Sequence, residues 1–468
     1  MENKKALDIV VFPWLAFGHM IPFLELSKHL AKKGHHISYV STPRNLERLL
    51  PKIPKNLLPF IKLVPIPLPR DGVLPPKAEA SSDMPFDDVE LLKKAYDGLK
   101  EPLASILEGA TPIDWIIYDY PCYWLPPIAD RLGVRKAFLS LMNGWSSASF
   151  GPSSNMIKDG AGTWSKPESL TGRLEWVPFQ NNVVYRFHEA KKSLSAARKN
   201  ASGVSDMFRG GCSVCDCDVF AIRSSRELEA EYLQLLEKLH RKPVVPVGLL
   251  PTSVDEDQMA NSDTWHSIKD WLDKHTNESV VYAALGSELG PSQDVVNALA
   301  LGLELSRLPF FWALRNHAGR PQELPDGFKK QTRDQGLVWT SWVPQAQILS
   351  HNSVGAFLTH CGWSSIIEGL QFGKPLIMLP FVLDQGLNAR VMEAKKVGFE
   401  IPRNNQDGSF DKNSVAQSLK VMCEDVFGKI YRDEAKKMSR MVADENLHNQ
   451  YIEEFEAYLY RNRPISEA

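Results

Sequence analysis

Between Trp342 and Gln385 the chain reads WVPQAQILSHNSVGAFLTHCGWSSIIEGLQFGKPLIMLPFVLDQ. An indole, a His-Cys-Gly-Trp-Ser-Ser turn, a carboxylate one helical turn further on and a closing Asp-Gln pair fall in this single region. The apolar run VGAFLTH predicts a strand ending at His360, and the pattern after it predicts a helix opening around Trp363. Backbone N–H groups at a helix start attract an anion, and the helix dipole adds to their pull. Ser364 and Ser365 add hydroxyl donors, His360 adds a ring N–H, and Gly362 lets the backbone come close. The segment ALGSE repeats the theme, with Gly286 and Ser287 at a tight turn after a strand. Two strand ends that offer donors to one anion suit a diphosphate. Trp342 offers a flat face to a nucleobase, worth about 1–3 kcal/mol by analogy with stacked single-stranded bases. Glu368 follows Ser364 by one helical turn and shares its face, where a carboxylate can accept both hydroxyls of a ribose. Asp384 and Gln385 follow the run PLIMLPF and can bind sugar hydroxyls. Each piece alone has a plainer reading: a Trp is often core, and a Ser pair often caps a helix. Their joint spacing favours a ligand made of base, ribose, diphosphate and sugar.

A second constellation lies in the first half. The loop FPWLAFGHMIP follows an apolar run and sets His19 at the carboxyl end of a predicted strand. Imidazole titrates near neutral pH and is the natural base for deprotonating a hydroxyl. Such a base needs an acid to orient it, and DWIIYDY ends another predicted strand with Asp119. A surface His can be inert, and a strand-end Asp can simply cap the next helix.

These groups need a frame that brings strand ends together. LDIVVFPW, HISYVST, IKLVPIPL, DWIIYDY and RKAFLS read as buried parallel strands of the first half. SVVYAALGS, FFWALR, GLVWTSW, VGAFLTH, PLIMLPF and VGFEIP repeat the rhythm in the second. PFLELSKHLAKKG predicts the first helix, with Pro22 in its first turn and Gly34 at its end. The alternation predicts an α/β chain with two facing, doubly wound, Rossmann-like domains. The expected division is an acceptor-side domain over 1–243, a linker over 244–264, a second domain over 265–445 and a last helix over 446–468 that can pack back on the first domain. Two long irregular stretches, PLPRDGVLPPKAEASSDMP and about 143–203, are expected to carry specificity.

Composition narrows the function classes. The 54 Lys and Arg against 56 Asp and Glu leave no basic excess for nucleic acid or an anionic membrane. No run approaches the ~18 apolar residues of a membrane span. Asp8 and Pro13 interrupt the apolar start, which is therefore expected to be a strand and not a signal peptide. Six cysteines in 468 residues make no disulfide framework, and together these features suggest the cytoplasm. Cys212, Cys215 and Cys217 lack a fourth ligand for a metal site, so GCSVCDCDVFAIRSS is expected to be a loop entering a buried strand. Asp255-Glu256-Asp257 is expected to be a solvated acidic loop, and no metal or other cofactor is expected.

The stretch also resembles the plant secondary product glycosyltransferase signature of uridine-diphosphate-sugar-dependent glycosyltransferases. Trp342, Pro344, Gln345, His360, Gly362, Trp363, Ser365, Glu368, Pro380, Asp384 and Gln385 stand where that motif has them. The resemblance extends over essentially the whole chain. It implies the GT-B architecture, with His19 as base and Asp119 as its partner. It implies UDP contacts from Ser287, Trp342, Val343, Gln345, His360, Gly362, Trp363, Ser364, Ser365 and Glu368, and donor-sugar contacts from Asp384, Gln385 and Asn143. Trp14, Met20, Tyr120, Met142 and Phe381 become candidates for the acceptor wall. One departure stands out: the family usually has HCGWNS, and this chain has HCGWSS. Ser364 is shorter than Asn, so the phosphate contact there is lost or bridged by water. The FPWLAFGHM start and the STPRN segment look like the branch that adds a sugar to a glycoside. Gln385 often accompanies glucose, which favours UDP-glucose as donor, with UDP-rhamnose or a free aglycone as the alternatives.

Three other classes compete. A nucleotide-sugar epimerase or hydrolase would not need the His19–Asp119 pair. A dinucleotide dehydrogenase needs a Gly-x-Gly-x-x-Gly turn, which FPWLAFGHM lacks. A non-catalytic glycoside binder would tolerate loss of His19.

Overall fold

The computed structural model describes residues 5–464, except 71, 73, 111, 160, 161, 253–261, 287–289 and 316–321. Two parallel sheets carry the chain. The first has seven strands in the order β3-β2-β1-β4-β5-β6-β7 and the second has six in the order β10-β9-β8-β11-β12-β13. The first sheet uses β1 (Asp8–Phe12), β2 (His36–Ser41), β3 (Ile61–Pro65), β4 (Trp115–Tyr118), β5 (Arg135–Ser140), β6 (Val219–Ile222) and β7 (Val244–Pro246). The second uses β8 (Val280–Ala284), β9 (Phe310–Ala313), β10 (Gly336–Trp339), β11 (Val354–Thr359), β12 (Leu376–Met378) and β13 (Gly398–Glu400). The central strands β1, β4 and β8 are apolar and almost wholly buried, because helices cover both faces of a parallel sheet.

Strand order reverses between β1 and β4 in the first sheet and between β8 and β11 in the second. The chain leaves those adjacent strands toward opposite faces, and a crevice opens at their carboxyl ends. Phe12 pairs with Tyr118 and Thr359 with Ala284, so the residues just beyond each pair line the two crevices. Those residues lead to His19 and Asp119 on one side and to Gly286 and His360 on the other.

The division of the chain differs from expectation at one edge. β7, at Val244–Pro246, lies within the expected linker yet pairs with β6 and completes the first sheet. The connector beyond it stays buried through Leu249 and Leu250. The last helix, Glu445–Arg461, packs on the first domain, where Ile452, Phe455 and Leu459 join Ile9, Val11 and Trp115 in one apolar cluster. Trp115 Nε1 donates to Leu459 O at 3.0 Å. Burying side chains of this size contributes about 1.5–3 kcal/mol each, which fastens the chain end to the half it began in.

The halves also share a core. Trp145, Trp164 and Leu194 of the first half join Trp363, Ile366 and Met392 of the second in one cluster. The 143–203 stretch is not wholly irregular: helices Gly144–Ser149 and Phe187–Ser193 punctuate it and meet the second half. The cysteine segment was expected to be a loop. Its first part, residues 211–215, instead ends a helix, Asp206–Cys215, whose N-cap Ser205 accepts from Phe208 N, while residues 216–218 with Cys217 form a short link into the buried strand β6. Apolar Met207, Val214 and buried Ser213 give that helix a face that the short Gly-Gly interruption had obscured. All six cysteines are unpaired. Asp255-Glu256-Asp257 lies outside the described residues. Among the described residues, no helix is long and apolar enough to cross a membrane, and no cluster of His, Cys, Asp or Glu is arranged to hold a metal ion.

Candidate active site

The helix Phe17–Lys32 starts directly after the β1 loop, and His19 lies in its first turn. Asp119 is the first residue beyond β4 and is buried. His19 Nδ1 lies 2.7 Å from Asp119 Oδ2. Two backbone N–H groups hold that carboxylate in place: Trp14 N donates to Oδ2 at 3.0 Å and Tyr120 N to Oδ1 at 2.8 Å. The carboxylate therefore accepts from Nδ1–H, which leaves Nε2 as the basic nitrogen of a part-exposed ring.

In the second half, the turn after β11 is built around His360. A Cβ on Gly286 or on Gly362 would lie 2.6 Å from His360 Nε2, so only glycine fits on either side of the ring. Cys361, between His360 and Gly362, holds φ at 67°, a left-handed conformation that costs a residue with a Cβ. The turn feeds the helix Trp363–Gln371, whose N-cap Gly362 offers no side-chain cap. Its first N–H groups thus remain directed at the cleft. The serine pair is not a cap. His360 Nδ1 is buried without a hydrogen-bond partner among the described residues. Burial lowers the His360 pKa to about 4, so the ring is neutral at pH 7 and acts as a single N–H donor. Ser287, expected opposite it, lies outside the described residues.

The residues expected at a nucleoside end, Trp342, Val343, Gln345 and Glu368, lie near one another. Trp342 is 49% exposed, as a stacking platform needs to be, and Lys52 of the first half places its Nζ 5.7 Å from the ring centroid. Burial, then Lys28, lowers the Lys52 pKa, while Glu25 and Glu368 raise it. Glu368 already has partners: Thr252 Oγ1 donates at 2.8 Å and Gln345 Nε2 at 2.6 Å. Gln345 also accepts from Tyr282 OH at 3.1 Å and donates to Ser365 Oγ at 3.4 Å. Val343 is half-buried beside them. The Trp363 indole turns away from this end, donating to Arg223 O at 3.0 Å and meeting Trp145 edge to face.

Between the two halves sits Asn388, which sequence reading missed. Its Oδ1 accepts from Asn143 Nδ2 at 2.7 Å, from Trp145 Nε1 at 2.8 Å and from Ser146 Oγ at 3.2 Å. Its Nδ2 donates to Cys361 O at 3.0 Å and to Asp384 Oδ2 at 2.8 Å. Asn143, expected on the donor sugar, is fully buried and also caps its own helix by accepting from Ser146 N at 3.0 Å. Burial raises the Asp384 pKa, opposed first by the hydrogen bond from Asn388 and least by charge on His19 of the opposite half. Gln385 uses its Oε1 to accept from Phe381 N and Val382 N at 2.9 and 3.1 Å, leaving donation by Nε2 as its contact for a ligand. The signal for Asn388 was present: it stands one helical turn after Asp384, on the same face.

The acceptor candidates separate by burial. Trp14 and Met20 are core: Trp14 packs edge-on against Tyr96, and Met20 is fully buried under β2 with its carbonyl accepting from Tyr39 OH. Apolar character alone suggested them, and the sheet claimed both. Tyr120 is half-buried with its ring 6.1 Å from His19, and Met142 is half-buried just before Asn143. Phe381 lies under Arg403, with its carbonyl accepting from Lys192 of the first half.

Arg223 is the other group that sequence reading missed. A lone arginine ending the apolar strand VFAI was its only signal. It is 2% exposed, and its Nη1 donates to Ser364 Oγ at 2.7 Å across the seam. The short Ser364 is therefore held by a cation of the opposite half.

Comparison with known proteins gives the family and the fold. The family described as "UDP-glucoronosyl and UDP-glucosyl transferase" matches residues 245–449. UDP-glycosyltransferase 91A1 of Arabidopsis thaliana is 46% identical over 98% of this chain and 97% of its own. Soyasaponin III rhamnosyltransferase of Glycine max is 40% identical over 97% of this chain and 95% of its own. The solved structure of Phytolacca americana UGT2, complexed with UDP-2fluoro-glucose and pterostilbene, shares the fold with a TM-score of 0.74 at 23% identity, covering 97% of this chain and 99% of that one. With two facing Rossmann-like sheets of the GT-B kind and relatives this similar along its whole length, the chain belongs to the plant family-1 UDP-glycosyltransferases, enzymes that transfer sugar from a UDP-sugar.

Proposed function

We propose that the chain transfers a hexose, with inversion and without a metal ion, from a UDP-sugar to a hydroxyl of a small molecule. The favoured donor is UDP-glucose, and the favoured acceptor hydroxyl belongs to a sugar already carried by a flavonoid, terpenoid or steroidal aglycone. The observation that carries this reading is the His19–Asp119 pair at 2.7 Å. His19 Nε2 takes the proton of the acceptor hydroxyl, and Asp119 stabilises the imidazolium that forms. The acceptor oxygen bonds to the anomeric carbon as the bond from that carbon to the diphosphate oxygen breaks. The leaving diphosphate keeps the electron pair and meets the uncapped start of the Trp363 helix, Ser364, Ser365 and the neutral His360. Such preorganised donors usually supply the largest electrostatic share of catalysis.

In this reading Trp342 stacks on the uracil, Glu368 exchanges Thr252 and Gln345 for the ribose hydroxyls, and Asp384 with Gln385 meets the sugar. Asn143 acts on the sugar indirectly, through Asn388 and Asp384. Val343, Gln345 and Gly362 complete the nucleotide wall, and Tyr120, Met142 and Phe381 face the acceptor. The soyasaponin rhamnosyltransferase at 40% identity supports a second reading, in which the donor is UDP-rhamnose on the same acceptor class.

Mass spectrometry of reaction products tests both. UDP-glucose and UDP-rhamnose are each offered with a panel of glycosides and free aglycones. A hexose added to glycosides is expected. A deoxyhexose selects the second reading, growth of aglycones alone moves the acceptor class, and donor hydrolysis with no acceptor product removes the transferase proposal.

A further inference from the structure

Arg223 ends β6 of the first sheet, yet its guanidinium reaches the second domain. Nε donates to Leu249 O at 2.7 Å, Nη2 to Leu250 O at 3.0 Å and Nη1 to Ser364 Oγ at 2.7 Å. Among the described residues it makes no ion pair with a carboxylate; Glu368 and Glu25 act on it only through space. A buried cation with neutral partners alone is costly. Burial lowers its pKa to about 10, which still leaves it charged at pH 7. This cation stands beside the uncapped, electropositive start of the Trp363 helix. Two positive features placed together in a dry seam call for an anion between or beside them. Ser364 connects the two. Its Oγ accepts from Arg223, so its own O–H is left as an oriented donor.

We propose that Arg223, supplied by the opposite half of the molecule, is a positioning residue for the nucleotide diphosphate, orienting the Ser364 hydroxyl and setting a full positive charge behind it. Phosphate binding is then complete only where the two halves meet. The inference rests on reading the Trp363 helix start as the diphosphate site. It also gives the serine at 364 a reason: a longer side chain would occupy the space the guanidinium fills.

The test is calorimetric titration of the full chain with UDP, UMP and uridine. The variants are Arg223→Met, Arg223→Lys, Ser364→Ala, the Arg223→Met/Ser364→Ala pair and Glu368→Ala. Arg223→Met is expected to weaken UDP about tenfold or more, UMP less and uridine less than about twofold, the scale of a hydrogen bond to a charged group. Arg223→Lys should recover most of the UDP loss, and the double variant should fall short of the product of the two single losses. Equal losses for all three ligands would reduce Arg223 to a staple for Leu249 and Leu250 and overturn the inference. Undiminished UDP binding would overturn it too. Glu368→Ala separates the two levels. If it weakens uridine and UDP alike while the Arg223 variants keep UDP affinity, only the inference falls. If Glu368→Ala also leaves UDP unchanged, the site reading itself fails. Should Arg223→Met not fold, Arg223→Gln takes its place, with the same graded loss across UDP, UMP and uridine expected and near-wild-type UDP affinity retained by Arg223→Lys; equal losses for the three ligands, or undiminished UDP binding, overturn the inference.

Discussion

Asn388 of the second half accepts from Asn143 of the first at 2.7 Å, inside a seam from which both side chains are fully excluded from solvent. The same Asn388 holds Asp384 and the carbonyl of Cys361, so one amide ties the loop after β5 to the Asp384 carboxylate and to the His360 turn. Replacing it by Ala leaves the Trp145 and Asn143 donors buried without an acceptor. Each such group costs about 1–3 kcal/mol. Asn388→Ala is expected to lower the melting temperature by several degrees and to lower kcat/KM as Asp384 loosens. A stable, fully active variant, judged by thermal denaturation and steady-state kinetics, would show that the bridge has neither role.

Removal of the base should separate chemistry from binding. General acid–base catalysis contributes about 10²–10⁴-fold, so His19→Ala should lose that much in kcat while the UDP affinity stays near wild type. Asp119→Asn keeps an acceptor for Nδ1–H but not the charge that stabilises the imidazolium, and it should also lose rate. Stopped-flow turnover and calorimetry on the same preparations provide the check.

At the nucleoside end the expected losses fall on binding. Glu368→Ala should weaken UDP by about 10- to 100-fold, as loss of hydrogen bonds to a charged group does. Trp342→Ala should remove a stacking contribution of about 1–3 kcal/mol. Both should raise the donor KM more than they lower kcat. A fall in kcat alone would place these residues elsewhere in the cycle.

Glu229 offers a pH test. It is buried, lies where the helix Arg226–His240 departs from helical geometry, and accepts from Gly144 N at 2.7 Å and Trp145 N at 3.0 Å. It thereby holds the loop that carries Asn143 to Asn388. Burial raises its pKa from 4.5 to about 7, against the opposing pull of those hydrogen bonds. The folded chain therefore binds this proton more tightly than the unfolded chain. The stability it lends is full below pH 4.5 and is lost as pH climbs through 7. The melting temperature of wild type minus that of Glu229→Gln should shrink across that window. A constant or widening gap would contradict the assignment.

The sequence by itself determined most of the strands and the two α/β halves, and it marked the candidate chemistry-bearing groups; β7, inside the expected linker, was not legible in it. A buried parallel strand announces itself as a short apolar run; Asp119 and His360 stand just past the ends of such runs, and His19 and Glu368 stand on the helices that follow them, where open α/β sheets bind ligands. Period and punctuation are local properties, so they survive in one dimension. What only the tertiary structure decided is which groups meet across the seam. Asn388 with Asn143 and Arg223 with Ser364 are far apart in sequence, and no local pattern marks either pair. Trp14 and Met20 show the same limit in reverse: their apolar character fits an acceptor wall or a core equally well, and packing against Tyr96 and β2 assigned both to the core. Partnership across an interface depends on where two folded surfaces come to rest, and that is set by the summed packing of both halves.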